Sequence, residues 1–329
     1  MMVALVLAFG LAVGGAGYAA GEDGVDAGSF IRDGAGSRAF GLGGAFVAIA
    51  DDASTTVWNP AGLLQLEGAN LSAMYTDKFG LGIDFQFVGA TLTAEEFAFA
   101  VSVASSSISE IPFSGDEGDG FFSETQSVIL GSVAYDLGNV LDLGLESEGS
   151  EMDMRLFVGA NGKVYTHRLL EGRGQGMGLD LSVLSTFMFE WGDVSFGVTS
   201  RDVGGTRIEW TGTDHDPVNH VPWIQSVGLS TTLLDRALCV AVGADVALGR
   251  PQLNRLHVGA EYSPLKPLTA RGGVVLSKDG LRVAWGASFR VGALLLDYAY
   301  VPHQLLGDSH VLSLSYGFPA WWDDDEEED

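Results

Sequence analysis

The chain has 329 residues, of which 47% are hydrophobic and 18% charged, and its formal net charge is −26. A mean hydropathy of +0.22 with 10% aromatics excludes a disordered acidic chain, and the acidity excludes a nucleic-acid partner, whose phosphates need a basic surface. One cysteine, Cys239, excludes an internal disulfide framework and a cysteine-based zinc site, and no cofactor is implied.

Residues 3–20 carry no charge and end in Gly17-Tyr18-Ala19, the small-x-small form of a signal-peptidase site. Residues 1–20 are therefore expected to be a cleaved export signal, although no Lys or Arg precedes Arg32; an uncleaved anchor is the alternative. No cysteine stands directly after this run, which speaks against a lipoprotein. Later in the chain no uninterrupted apolar run of about 18 residues occurs, so an exported product is either soluble or a membrane barrel.

Residues 21–67 do not alternate. Small apolar residues from Gly36 to Ala50 suit a short helix, Asp51 and Asp52 suit a cap for the next turn, and Asn59-Pro60-Ala61-Gly62 breaks the chain. The hydrophobicity of this segment means that it is packed, and a barrel lumen is the expected place.

From residue 68 the chain breaks into runs of about ten residues with period two. In 310–318, Leu312, Leu314, Tyr316 and Phe318 share one face, and Val311, Ser313, Ser315 and Gly317 the other. Similar runs over 68–75, 83–92, 96–105, 124–136, 153–166, 176–190, 193–201, 222–233, 237–247, 253–263, 268–276, 281–289, 292–301 and 309–318 predict about fourteen strands. The run length suits a tilted bilayer crossing, and aromatics cluster near strand ends. Connections on one side are tight, while 106–123, 167–175, 202–221 and 302–308 form a longer, external set; 137–152 is an exception on the short side. The fold class expected is all-β, a transmembrane antiparallel barrel over 68–318 with the segment 21–67 in its lumen. Arg155, Lys163, Asp180, Arg201, Asp245, Arg255, Glu261, Arg271, Arg290 and Asp297 fall on the inward parity; a basic residue facing mid-bilayer would cost about 2–4 kcal/mol. Cys239 takes the same parity as a small packing residue.

Candidate chemistry is sparse. Ser114–Asp119 and Asp214-His215-Asp216 with His220 hold oxygen and imidazole groups without the spacing of a known metal loop. The Gly-rich 172–178 lacks the Gly-Lys-Ser/Thr ending of a phosphate loop and reads as an external turn, and nothing places a nucleophile beside a base.

The stretch GSRAFGLGGAFVAIADDASTTVWNPAGL (36–63) resembles the N-terminal pattern of the PorV/PorQ group within the FadL-type outer-membrane transporter superfamily. LDYAYVPHQLLGDSHVLSLSYGF (296–318) resembles its closing strands, and RLFVGANGKVYTHRL and VSFGVTSRDVGGTRIEW its central ones. The resemblance implies a fourteen-stranded barrel with a lumenal hatch, Asn59, Pro60 and Ala61 at its heart. It implies an outer-membrane protein that passes hydrophobic molecules such as an acyl chain, or, in PorV-type members, serves protein secretion or surface attachment with a protein cargo; a barrel enzyme is a distant third. Tyr316 and Phe318 stand where the barrel-assembly machinery reads a terminal aromatic, but Pro-Ala-Trp321-Trp322 and seven acids follow, an expected periplasmic tail over 319–329.

Overall fold

The computed structural model describes residues 27–115, 118–138, 153–213, 217–265 and 267–318. The expected leader 1–20, the expected tail with Trp321 and Trp322, nearly all of 137–152 and Asp214–Asp216 lie outside those residues. Among the described residues no helix is long and apolar enough to cross a membrane, which says nothing of strands.

Sixteen strands follow in chain order: β1 (Ala69–Lys78), β2 (Ile83–Ala94), β3 (Phe97–Gly115), β4 (Gly118–Asp136), β5 (Asp153–Leu169), β6 (Gly172–Phe189), β7 (Gly192–Arg201), β8 (Thr206–Thr211), β9 (Val218–Val221), β10 (Ile224–Leu233), β11 (Leu238–Ala247), β12 (Arg255–Leu265), β13 (Leu268–Ser277), β14 (Gly280–Val291), β15 (Leu294–His303) and β16 (Gly307–Phe318). Fourteen of them pair antiparallel with their neighbours, and β16 pairs with β1 from Ala69↔Phe318 to Asp77↔His310, so the wall closes. Closure leaves no row of unpaired N–H and C=O groups, which hydrocarbon could not satisfy. The other two, β8 and β9, form a hairpin added to the upper part of β6.

The outer face is apolar. Leu312, Leu314, Tyr316 and Phe318 are all exposed, while Val311 and Ser313 are buried, as the alternation requires. Aromatics band both rims. At the tight-turn end, where β1 begins and β16 ends, Phe97 packs on Tyr135, Phe189 stacks on Trp191, and Tyr316 meets Phe318. At the other end Trp285 lies beside Tyr298 and Tyr300, whose hydroxyls reach His310 and Asp308. Two aromatic belts around an apolar band match the demands of a bilayer. The two ends are called periplasmic and external below, because both barrel termini and the tight turns share one side.

Three of the expected external loops are not loops. Residues 106–123 and 167–175 continue as β3–β4 and β5–β6 hairpins, the second turning through Leu170 and Glu171 alone, and 202–221 contains β8 and β9. Beyond the apolar band the outer face of each hairpin turns polar, so hydrophobic alternation fades while backbone pairing continues. The Gly-rich 172–178 is likewise strand: added Cβ atoms at Gly174 and Gly176 would strike Ile208 at 2.9 and 2.5 Å, so glycine admits β8 there.

Residues 27–67 fill the lumen. Helices α1 (Ser29–Arg32), α2 (Ser37–Gly41) and α3 (Thr55–Trp58) are one turn each, followed by a 3-10 turn over Pro60–Gln65. The expected helix over 36–50 ends at Gly41, because Gly43 and Gly44 take φ of 64° and 79°, outside the helical region. Leu42, Phe46 and Trp58 are buried against the wall, at about 1.5–3 kcal/mol for each large apolar side chain. The abundant glycine finds a reason here: a Cβ on Gly159, Gly197, Gly259 or Gly273 would lie 2.1–2.4 Å from backbone atoms of this segment.

Candidate functional site

Three layers of polar contacts tie the inner segment to the barrel, and they divide the lumen from the external to the periplasmic side. The uppermost layer starts at Asp33, just after α1, which accepts from Arg255 Nη1 at 2.7 Å. Burial alone would push the Asp33 carboxyl up, but Arg255, with Lys78, Arg282 and Arg32 nearby, holds it well below the usual carboxylate range. Lys78 donates to the Phe30 carbonyl at 3.1 Å, and the Ala27 N–H to that of His220 beyond β8. In the same half, Arg201 meets Asp245 at 3.0 Å, and His257 bridges Asp245 and the Gly43 carbonyl.

The middle layer centres on Lys163. Its ammonium lies 2.7 Å from Asp180 and 2.9 Å from Asp202, all three buried. Asp202 also accepts from Tyr165 and Thr206, and the Asp202 N–H donates to Asp180. Asn161 joins Asp180 to the Thr56 carbonyl of α3, at 2.9 and 2.7 Å.

The lowest layer runs through Arg38 of α2. It donates to Asp51 at 2.5 Å and, through two nitrogens, to both oxygens of Glu261. Burial opposes the charge of Arg38, yet Asp51 and Glu261 together raise its pKa well above the ordinary value. Arg271 follows, 3.6 Å from Glu261 and 2.9 Å from Asp297, with Ser288 bonded between them. A buried ion pair gives little net stability but is costly to break. These chains join the inner segment to the wall at three heights.

Among the sequence-predicted inward residues, Lys163, Asp180, Arg201, Asp245, Glu261, Arg271 and Asp297 are buried in the lumen and Arg255 is half-buried there; Arg155 and Arg290 are exposed near the periplasmic rim. Asp51 and Asp52 divide their expected role: Asp52 accepts from the Ser54 N–H and hydroxyl at the start of α3, whereas Asp51 pairs with Arg38. Burial pushes the Asp52 carboxyl up, against Arg38 and the Ser54 bonds. Asn59 is fully buried; its amide donates to Val47 and Val183 carbonyls and its oxygen accepts from Ala61 N–H. Pro60 opens the 3-10 turn, where its missing N–H costs nothing. At Gly62 a Cβ would stand 2.0 Å from the Ala50 carbonyl oxygen. Tyr316 and Phe318 sit on the outer wall and take no part in the lumen. Asp33, Arg38, Asp202 and Thr206 lie outside the wall strands, where parity gives no signal, whereas His257 stands on the inward face of β12, where parity alone would point to it.

Between the inner segment and the wall of β1 and β12–β16 lies a cavity of about 60 Å³. Phe40, Trp58, Val275, Ala284, Val301 and Val311 form an apolar side; Arg32, Lys78, Arg255 and Arg282 outnumber Asp33 and Asp245 on the other. At about 10–15 Å³ for each water, it holds a few waters or one end of a larger molecule. Ser226, Asp245 and His257 come together nearby, but the hydroxyl donates to the carboxylate and not to the imidazole. No group is thus set to activate a nucleophile at this cluster. No group of three metal-ligating side chains occurs among the described residues.

No family model and no curated protein matches the chain. Solved structures do. The fold is similar to "CymD monoaromatic hydrocarbon channel" at 15% identity and TM-score 0.54, covering 87% of this chain and 98% of that one. It is similar to the Pseudomonas putida toluene transporter TodX at 11% identity and TM-score 0.54, covering 88% and 99%. At this identity the likeness shows a shared fold alone, a closed antiparallel barrel.

Proposed function

We propose that the protein is a passive outer-membrane transporter for hydrophobic compounds, with the segment 27–67 as a hatch that must shift for passage. The observation that carries this reading is the cavity against α2, apolar on one side and cationic on the other. Such a site favours an amphipathic molecule whose apolar part lies on Phe40, Trp58 and Val311 and whose acidic or polar end meets Arg255, Lys78 or Arg282. A long-chain fatty acid has that form. The fold similarity to channels named for monoaromatic hydrocarbons and toluene supports a hydrophobic cargo. Asp51, Asp52, Asn59, Pro60, Ala61 and Gly62 hold the hatch in its resting place, and a PorV-type secretion or attachment role rests on the sequence resemblance alone.

Ala284→Trp tests the proposal by filling the cavity from the wall. Ala284 is buried and inward-facing on β14. In proteoliposomes the variant is expected to lower the flux of a fluorescent long-chain fatty acid at least tenfold, with heat-modifiable migration on gels retained. Wild-type flux through the folded variant would refute the cavity as part of the route.

A further inference from the structure

The outer wall over β3–β6 marks the external edge of the bilayer by a row-by-row change of side chain. Val103, Ile129, Val164 and Met177 are paired in register across the four strands and all exposed. Two residues higher the same register reads Ser105, Ser127, Thr166 and Gln175, and two higher again Ser107, Thr125, Arg168 and Arg173. Apolar therefore gives way to polar between one row and the next on every strand, and two arginines stand side by side just above the change.

That pairing is unfavourable as it stands. Like charges directly opposite on antiparallel strands repel, and neither guanidinium enters an ion pair among the described residues. The neighbouring acid on β8, Glu209, faces Arg207 at 3.9 Å. A groove bordered by Thr125, Ser127, Thr166, Arg168, Arg173 and Gln175 opens at this place. Followed the other way round the barrel, the same register row carries Asp84 and Asp77 on β2 and β1. Along this row the cations stand on the arc of β5 and β6 and the acids on that of β1 and β2.

We propose that this arc binds a phosphate group of an outer-leaflet lipid headgroup. Two guanidiniums set across one strand pair can each present a planar fork to a phosphate, and an anion between them removes their repulsion. Thr125, Ser127, Thr166 and Gln175 supply neutral donors at the depth where a headgroup meets acyl chains. A lipid, unlike free phosphate, also covers the exposed row of Ile129, Val164 and Met177 directly beneath. The site lies on the outside of the wall and is independent of whatever passes through the lumen.

The test is binding of diphosphoryl lipid A to the detergent-purified full chain, followed by native mass spectrometry across a lipid titration. Arg168→Gln/Arg173→Gln is expected to weaken binding at least tenfold, while Arg290→Gln, at the periplasmic rim, leaves it unchanged. On the wild-type protein, enzymatic removal of the lipid phosphates is expected to cost a similar factor, which tests the idea without any variant. Millimolar inorganic phosphate is expected not to displace the lipid. Equal binding by the double variant or by the dephosphorylated lipid would overturn the proposal, as would equal loss in Arg290→Gln. Full displacement by inorganic phosphate would assign the site to the free ion and overturn the lipid.

Discussion

Lys163→Met is expected to cost about 3–5 kcal/mol, the range for removing one partner of a buried charge network. Methionine preserves much of the side-chain volume, so the loss isolates the ammonium. Without it Asp180 and Asp202 remain together in a buried cluster, held by Asn161, Tyr165, Thr206 and one backbone N–H. The network joins α3, β5, β6 and the chain leading into β8, so its failure should loosen the inner segment and the external hairpin together. Urea unfolding in detergent, followed by tryptophan fluorescence, reads the change. A shift under about 1 kcal/mol would mean that water already solvates the three charges, in keeping with an exposed pair.

Gly273→Val should separate the inner segment from a wall that still closes. Valine suits a strand, and the outer face of β13 is untouched. Inside, however, its Cβ would fall 2.1 Å from the Leu42 carbonyl carbon, and backbone cannot yield as a flexible side chain does. Overpacking typically costs about 1–3 kcal/mol; here α2 and the turn after it must leave the wall, so Leu42 and Phe46 lose burial as well. The expected phenotype is a barrel with normal heat-modifiable migration and a raised permeability to small polar solutes. Normal permeability would show that the segment can retreat without opening a path.

The wall was legible because its physics is periodic. One face meets lipid and the other meets glycine, serine and paired charges, so residues such as Leu314 and Ser313 declare their sides by alternation alone. Legibility faded beyond the apolar band, where the outer face turns polar: Ser105-Ser106-Ser107 and Gly172–Gly178 alternate in direction but not in hydropathy, and both are strand. The inner segment was legible as packed but not as shaped. Its path follows from wall glycines such as Gly259 and Gly273, whose partners lie more than two hundred residues away. Asp51 shows the same limit: adjacent acids before a helical turn look alike, and only the position of Arg38 separates the cap from the ion pair. Alternation places Ser313 on the inner face but not its partner: its hydroxyl meets that of Ser37 at 2.7 Å, which leaves no room for a larger side chain.

That same pair offers the most direct measurement of whether the inner segment gates passage. Ser37 belongs to α2 and Ser313 to β16, and both are buried. In a Cys239→Ser background, Ser37→Cys/Ser313→Cys places two thiols at bonding range, so oxidation ties α2 to the wall and reduction frees it. Flux of a fluorescent long-chain fatty acid through proteoliposomes should fall at least tenfold in the oxidised protein and return to the level of the Cys239→Ser parent on adding dithiothreitol. Equal flux in the oxidised and reduced states, with the crosslink verified by mass spectrometry, would contradict gating by this segment.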